Sequence, residues 1–239
     1  MKNYSENYWA KRAQSYNNTN WVKNEKFIDA FLDMISNKSY SNILEIGIGT
    51  GAVAKVMSEV KGPLIGIDIS KEMIDQIKYD NITPIVANAH DLPFADSSFD
   101  LIYMRNVIHY LDDPKKVFSE IFRCLKSGGT HLFSQVVPPD DTISTEYDWL
   151  VGRDIHYPTK NEILELFSPF KKINHNDFLL ENQSINNWLD NTCQKQEERK
   201  EIIDRHHKTS HDYRTLANYR QTEDDIFVNI RHFMVSGEK

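Results

Sequence analysis

The sequence predicts an α/β fold, in which a doubly wound and mostly parallel sheet carries helices on both faces. Over residues 41–137, short apolar runs rich in β-branched residues alternate with amphipathic stretches. Strands that are apolar throughout and separated by helices are typical of a parallel sheet. A glycine-rich loop directly after the first run is the second observation. In such sheets right-handed crossovers place helices on both faces, and ligands bind beyond the carboxyl ends of the strands.

The predicted elements follow in chain order. A helical pattern of apolar residues comes first, at Phe27, Ile28, Phe31, Leu32 and Ile35. Five strands are predicted from the runs SNILEIG, PLIGIDI, TPIVANA, FDLIYMR and THLFSQVV. Between the strands, three helices are predicted over residues 52–60, 70–78 and 114–125.

The chain becomes more polar after residue 137. The segment TKNEILELFS predicts a helix with Thr159 as its N-cap and Glu162 at the capping-box position. The runs KKINHNDFLL and IFVNIRHFMVS predict two more strands. Residues 184–208 predict one charged amphipathic helix.

These patterns divide the chain into an N-terminal helical cap, residues 1–40, and a main domain, residues 41–239. Residues 138–158 hold prolines, aromatic residues and charges where the fifth strand leads into the next helix. We expect this segment to face the substrate. Residues 184–224 are expected to form a second insertion on the same side.

Composition narrows the classes of function. The net charge of −7 argues against a nucleic-acid-binding protein and against binding to anionic membranes. No apolar run approaches the roughly 20 residues that span a bilayer, and the polar N-terminus does not resemble a signal peptide. Two cysteines cannot form a disulfide framework or a four-cysteine zinc site. We expect a cytoplasmic protein, a monomer or a homodimer.

The glycine loop, Glu-Ile-Gly-Ile-Gly-Thr-Gly-Ala over residues 45–52, ends a strand and begins a helix. Gly47, Gly49 and Ala52 fit the dinucleotide pattern G-x-G-x-x-G/A. Glu45 and the three glycines fit the pattern E-x-G-x-G-x-G of S-adenosylmethionine sites. Asp68 ends the second strand about 20 residues later, where a carboxylate accepts hydrogen bonds from ribose hydroxyls in either case. Glu45 favours a cationic ligand, because it would repel a pyrophosphate.

Further segments occur in order over residues 42–135, namely LEIGIGTG, GIDIS, ANAHDLPF, SSFDLIYMRNVIHYLDDP and LKSGG. Together they resemble the class I S-adenosylmethionine-dependent methyltransferases, most nearly the ubiquinone and menaquinone biosynthesis branch. The N-terminal YWAKRAQSY is similar to the cofactor-covering segment of that branch. The resemblance implies a Rossmann-like, seven-stranded sheet with an antiparallel last strand. It also implies methyl transfer from S-adenosylmethionine to a small molecule, with S-adenosylhomocysteine as product.

Carried over by position, the resemblance implies one set of cofactor-binding residues. The glycines would pass under the methionine and ribose portion, Glu45 would lie near the amino end, and Asp68 would hold the ribose. At Asn88 this sequence departs from the branch, which usually has Asp. The full set is Arg12, Tyr16, Glu45, Gly47, Gly49, Gly51, Asp68, Ile69, Met73, Asn88, Ala89 and Arg105.

The sequence indicates less clearly which residues would contact the methyl acceptor. His109 is the leading general-base candidate because neutral imidazole can take a proton near pH 7, and His156 in the expected substrate-facing segment is the second. A histidine that only packs or orients its neighbours is the alternative for both. Five further residues are expected to face the acceptor: Asn106, Tyr110, Tyr147, Trp149 and Arg153.

Other patterns carry less weight. His206, His207 and His211 lie among charged residues and are interpreted as a solvated helix face, so no metal site is predicted. Three alternatives stay open: a tRNA or protein methyltransferase, a cofactor-binding domain that transfers no methyl group, and a dinucleotide-dependent oxidoreductase.

Overall fold

The computed structural model of the chain describes Trp9 and residues 24–152, 155–193 and 195–239. Within them, eight strands form one sheet in the order β3-β2-β1-β4-β5-β8-β6, with β7 paired to β8. Strands β1 to β5 are parallel, whereas β8 is antiparallel to β5, β6 and β7. The strands are β1 Ile43–Ile46, β2 Leu64–Asp68, β3 Ile82–Val86, β4 Phe99–Arg105, β5 Leu125–Val137, β6 Lys171–Ser184, β7 Arg220–Gln221 and β8 Ile226–Glu238.

The predicted fold class is confirmed, including the antiparallel last strand. The two-residue β7 adds a short arm beside the seven predicted strands. The helices in the described residues are α1 Glu25–Asp33, α2 Ala52–Lys61, α3 Lys71–Ile74, α4 Pro114–Cys124, α5 Ser144–Val151, α6 Lys160–Leu166, α7 Ile185–Thr192, α8 Gln196–His207 and α9 His211–Leu216. No helix in this part of the chain is long and apolar enough to cross a membrane.

Local sequence signals account for where several of the helices begin. Asn24, Ser70, Asp113 and Thr159 each cap a helix by accepting a hydrogen bond from a backbone N–H of the first turn. The predicted capping box at the start of α6 is confirmed, because Thr159 and Glu162 bond each other's backbone N–H reciprocally.

The single helix predicted over residues 184–208 is wrong. The chain forms α7 and α8, with Cys193 extended between them. The Thr192 hydroxyl donates to the Trp188 carbonyl at 2.7 Å. In the last turn of α7 a side chain thus bonds to a backbone carbonyl and competes with the backbone N–H groups for it. Arg199 on α8 then donates to Asp190 and Asn186 on α7, which ties the two helices together.

Two apolar layers enclose the sheet. Helices α4 and α6 pack Phe118, Ile121 and Phe167 on one face, and α1 and α2 pack Phe27, Phe31 and Met57 on the other. A third cluster joins α5, α7, α8 and α9 with the start of β8. The two expected insertions therefore share a small core of their own beside the strand ends. The division of the chain at residue 40 stays a prediction.

Candidate functional site

The glycine loop is a tight turn between β1 and α2. Gly47, Gly49 and Gly51 have φ values of +71°, +55° and +81°, a left-handed region that favours glycine. The Gly47 and Ile48 amides both donate to the Ile67 carbonyl on β2, at 2.8 and 2.9 Å. A Cβ at Gly47 would lie 2.3 Å from a Val107 methyl carbon. Position 47 therefore favours glycine for two reasons, its left-handed φ and the nearby Val107 side chain.

Asp68 ends β2 beside this loop. Its Oδ2 accepts from the Gly49 amide at 2.9 Å, and its Oδ1 accepts from the Ser70 amide at 3.0 Å. Burial raises the pKa of Asp68, and the bonds from Ser70 and Gly49 offset only part of that effect. The carboxylate is thus held in one orientation by the backbone of both flanking loops.

A cavity of about 200 Å³ opens at the carboxyl ends of β1, β2 and β4. This is the edge where parallel α/β sheets bind ligands. Ten residues predicted for the site line it, namely Gly47, Gly49, Asp68, Ile69, Met73, Asn88, Ala89, Arg105, Asn106 and Tyr110.

Two predicted cofactor residues, Gly51 and Glu45, do not line the cavity. A Cβ at Gly51 would meet Ile77, 3.3 Å away. Arg12 and Tyr16 lie outside the described residues. Glu45 is buried behind the loop, with only 3% of its surface exposed.

Glu45 has an unusual environment for a carboxyl group. Its Oε2 accepts a 2.7 Å hydrogen bond from the Tyr103 hydroxyl on β4. Burial raises the pKa of Glu45 to about 8, despite the Tyr103 bond and the nearby charge of Arg105, which lower it. The charge of Asp68 raises the pKa of Glu45 as well, by a smaller amount. At neutral pH this carboxyl group therefore holds a proton for most of the time.

The chain resembles known proteins over the same region. Residues 44–133 match the family model described as a methyltransferase domain. The predicted resemblance to the class I S-adenosylmethionine-dependent methyltransferases is confirmed over this region.

Individual relatives agree with this assignment. An uncharacterised protein of Methanocaldococcus jannaschii is 34% identical over 137 residues, which is 54% of this chain and 64% of the relative. The ubiquinone/menaquinone biosynthesis C-methyltransferase of Rickettsia prowazekii is 36% identical over 125 residues, which is 45% of this chain and 50% of the relative. The chain thus spans less than two thirds of the length of these relatives.

The fold extends further than the sequence similarity. The crystal structure of the Bacillus subtilis YcgJ protein superposes with a TM-score of 0.78 and 20% identity. It covers 90% of this chain and 99% of that one. The sheet and its flanking helices are therefore shared well beyond residues 44–133.

Asn88 follows β3 and is oriented by His90. The Asn88 Oδ1 accepts from the His90 amide at 2.9 Å and lies 3.0 Å from the His90 Nδ1. The His90 Nε2 accepts from the Asp113 amide at 3.3 Å, so the ring proton is on Nδ1 and is donated to Asn88. The Asn88 oxygen thus accepts two bonds from His90, and its NH₂ group is the part available as a donor. His90 lines the cavity, although its sequence position alone did not predict a role.

Arg105 and Asn106 lie where β4 ends. The Arg105 guanidinium stacks over the Phe27 ring at 4.0 Å, which joins α1 to the cavity wall. Asn106 has a φ of +54°, and its Oδ1 accepts from the Val136 amide at 3.0 Å. The two strand ends are therefore linked through a side chain that also lines the cavity.

His109 is buried and does not line the cavity. The Gln135 Nε2 lies 2.8 Å from the His109 Nδ1 and 3.0 Å from the Val136 carbonyl oxygen. Only the NH₂ end of the amide can face that carbonyl, so the amide donates and the His109 Nδ1 accepts. The neutral ring then carries its proton on Nε2. His109 also stacks on Tyr157, with ring centres 4.8 Å apart.

His156 lies between two carboxylates, away from the cavity. Its Nδ1 is 2.6 Å from the Asp148 Oδ2, and its Nε2 is 3.1 Å from the Glu162 carboxylate. Burial lowers the pKa of His156, but the bonds and charges of Asp148 and Glu162 outweigh that effect and raise it. By contacting both Asp148 and Glu162, His156 links α5 to the capping box of α6.

The remaining acceptor candidates are dispersed. Tyr110 lines the cavity and makes an edge contact with Trp9 at 4.7 Å, and Trp9 lines the cavity too. Tyr147 faces a second, smaller cavity among the insertions. Trp149 is 44% exposed, with the Arg205 guanidinium 5.7 Å from its ring. Arg153 lies outside the described residues.

No group of three or more His, Cys, Asp or Glu side chains suited to a metal ion occurs among the described residues. His206 is buried, with its Nδ1 2.8 Å from the Ile202 carbonyl oxygen. The interpretation of the three histidines as a solvated helix face is therefore wrong for His206, which packs into the core of the insertions.

Proposed function

We propose that this protein transfers a methyl group from S-adenosylmethionine to a small-molecule acceptor. One observation carries the proposal. The glycine loop, Asp68 and the residues that follow β3 and β4 surround a single cavity at the strand ends. Beside a cationic ligand the buried Glu45 carboxyl group would ionise and add an attraction. Beside the pyrophosphate of a dinucleotide it would stay protonated and add none.

The cavity offers separate partners for each part of the cofactor. Each Asp68 oxygen accepts one backbone N–H and retains lone pairs for the ribose hydroxyls. Met73 and Ile69 provide apolar surface for the adenine ring. The Asn88 NH₂ group would donate to a ring nitrogen of adenine, because its oxygen already accepts from His90.

The reaction needs little from the protein beyond alignment. When bound, the cofactor supplies a methyl group on a sulfonium, and in-line displacement moves that methyl to the acceptor while the electron pair of the breaking bond stays on sulfur. Fixing two reactants at close approach accounts for much of the rate of such a step. The loop and the Asp68 carboxylate hold one reactant, while Asn106 and Tyr110 line the wall where the other would enter.

His109 would act on the acceptor side through its Nε2. In the arrangement set by Gln135, that nitrogen carries a proton and donates a hydrogen bond. To act as a general base, His109 would first have to change its tautomer. We therefore propose that His109 orients the acceptor or a neighbouring residue, and base catalysis by His109 stays the alternative.

Calorimetric titration with S-adenosylmethionine, S-adenosylhomocysteine and NADH tests the proposal. We expect micromolar binding of the first two and no binding of NADH. Asp68→Ala should weaken cofactor binding at least tenfold, because hydrogen bonds to a charged group contribute about 1.5–3 kcal/mol. Glu59→Ala is the matched control, since Glu59 is an exposed carboxylate on α2. Binding of NADH alone, or unchanged affinity in the Asp68 variant, would contradict the proposal.

A cofactor-binding domain that transfers no methyl group is the second candidate. It is favoured by the position of His109, which is buried off the cavity rather than facing it. Incubation with radiolabelled S-adenosylmethionine and a panel of small molecules separates the two functions. Tight cofactor binding with no labelled product from any acceptor would favour the second candidate.

A further inference from the structure

A second cavity lies between the insertions and the end of the sheet. It has a volume of about 60 Å³, and its walls come from α5, α7, α8, α9, the ends of β5 and β8, and the segment after α5. Apolar side chains such as Val136 and Val228 form most of the wall. A space of this size admits a compact group no larger than about one ring.

Three polar side chains in this wall have an atom with no hydrogen-bond partner among the described residues. Tyr147 and Tyr213 line the cavity, and neither hydroxyl makes a hydrogen bond to any described residue. His206 lines it too, and only 2% of its surface is exposed. Its Nδ1 donates to the Ile202 carbonyl, so Nε2 is an acceptor without a partner among the described residues. Buried tyrosine hydroxyls and imidazole nitrogens usually have partners, so such a set calls for a ligand.

All three groups are uncharged at neutral pH. Burial lowers the pKa of His206 to about 4, and burial raises the pKa of both Tyr147 and Tyr213 above the usual range of phenols. None of these three groups therefore carries a charge that would compensate a charged group placed among them. Transfer of a charge into such a site is far less favourable than transfer of a neutral hydroxyl.

The second cavity adjoins the first through the end of β5. The Val136 side chain lines the second cavity, while the Val136 amide donates to Asn106, which lines the first. On the other side, Tyr110 of the first cavity contacts His109, which stacks on Tyr157 of the second. The two cavities are thus neighbours on opposite sides of this wall, so a group bound in the second lies close to the expected methyl position.

We propose that the second cavity binds the apolar end of the methyl acceptor, an uncharged group that carries a hydroxyl, such as a phenol. Tyr147 and Tyr213 would donate hydrogen bonds to the hydroxyl oxygen, and the hydroxyl would donate to the His206 Nε2. This inference rests on the proposed function, because it concerns the acceptor of the same reaction.

Fluorine NMR titration of the full chain with 4-fluorophenol, fluorobenzene and 4-fluorobenzoate tests the inference. At pH 7 the phenol is neutral and the benzoate is ionised. We expect 4-fluorophenol to bind, and 4-fluorobenzoate to bind at least tenfold more weakly. Equal binding of the two would overturn the inference, because the site would then not discriminate against charge.

Two variants locate the binding. Tyr213→Phe should weaken the binding of 4-fluorophenol several-fold and leave the binding of fluorobenzene unchanged, because the substitution removes only a hydroxyl. Val228→Phe should remove binding of both by filling the cavity. Tyr219→Phe is the matched control, because its hydroxyl bonds to Gln221 outside the cavity. Probe binding that survives Val228→Phe in a protein that keeps its circular dichroism would overturn the assignment.

Calorimetry with S-adenosylmethionine on the same samples separates this inference from the proposed function. Cofactor binding without any probe binding overturns the inference and leaves the proposed function intact. Probe binding without cofactor binding overturns the acceptor role together with the proposed function.

Discussion

Glu45 should release a proton when S-adenosylmethionine binds. The pKa of this buried carboxyl group is about 8, so at pH 7 the ratio of ionised to protonated Glu45 is about one to ten. A sulfonium and an ammonium group bound beyond the loop would stabilise the ionised form and lower the pKa. Binding at pH 7 should then release roughly 0.9 proton, whereas binding at pH 9, where Glu45 is already ionised, should release roughly 0.1.

The affinity should follow the same ionisation. Because the bound state favours ionised Glu45, the affinity for S-adenosylmethionine should rise by up to about tenfold per pH unit below pH 8 and level off above it. S-adenosylhomocysteine lacks the sulfonium charge. It should therefore show a smaller proton release and a shallower pH dependence.

Calorimetric titration in buffers of different ionisation enthalpy measures the number of protons released. Glu45→Gln is the matched variant, because it keeps the shape of the side chain and an acceptor for the Tyr103 hydroxyl but cannot ionise. Any protonation change of the ligand's own amine occurs with both proteins, so the difference between them isolates Glu45. Equal proton release from the wild type and Glu45→Gln would refute the reasoning.

Three further predictions concern single residues. Gly47→Ala should lower the free energy of unfolding by about 2–4 kcal/mol in denaturant titration, because the new Cβ would clash with Val107 and the residue would keep a left-handed φ. Gly128→Ala is the control: its φ is also left-handed but no atom lies within 4 Å, so it should lower the free energy of unfolding by only about 1 kcal/mol. His156→Ala should destabilise the protein most below pH 6.5 and least above the raised pKa of His156, because only the protonated ring forms ion pairs with Asp148 and Glu162. Thermal melts over a range of pH measure this, and a loss of stability that does not depend on pH would contradict it. His109→Ala should lower turnover with unchanged cofactor affinity: a loss of about 100-fold or more would favour base catalysis over an orienting role, and wild-type turnover would remove His109 from the mechanism.

The parts of the site that could be predicted from sequence are local. The glycine loop and Asp68 are encoded within short segments, because each needs a particular backbone conformation at a strand end. The capping box at Thr159 and Glu162 is local in the same sense. The order of these segments also predicted the sheet, since alternating strands and helices allow few topologies.

The parts that could not be predicted depend on contacts between distant segments. The buried Glu45 is bonded to Tyr103, which is 58 residues away, and its burial is what raises the pKa of its carboxyl group. The tautomer of His109 depends on Gln135, which is 26 residues away on the neighbouring strand. The identity of these residues suggested function, but their ionisation and hydrogen bonding come from packing.

The second cavity shows the same limit at the level of a whole site. Its walls come from six helices and strands spread from Val136 to Ile230, and the sequence placed its polar residues in unrelated categories. Tyr147 was expected to face the acceptor, His206 was interpreted as solvated, and Tyr213 was not singled out. The break after Thr192 turns α8 back along α7, which brings His206 beside Trp188 with ring centres 6.5 Å apart. Because an unbroken helix over residues 184–208 would carry His206 away from the sheet, the chemistry of the acceptor end depends on that break.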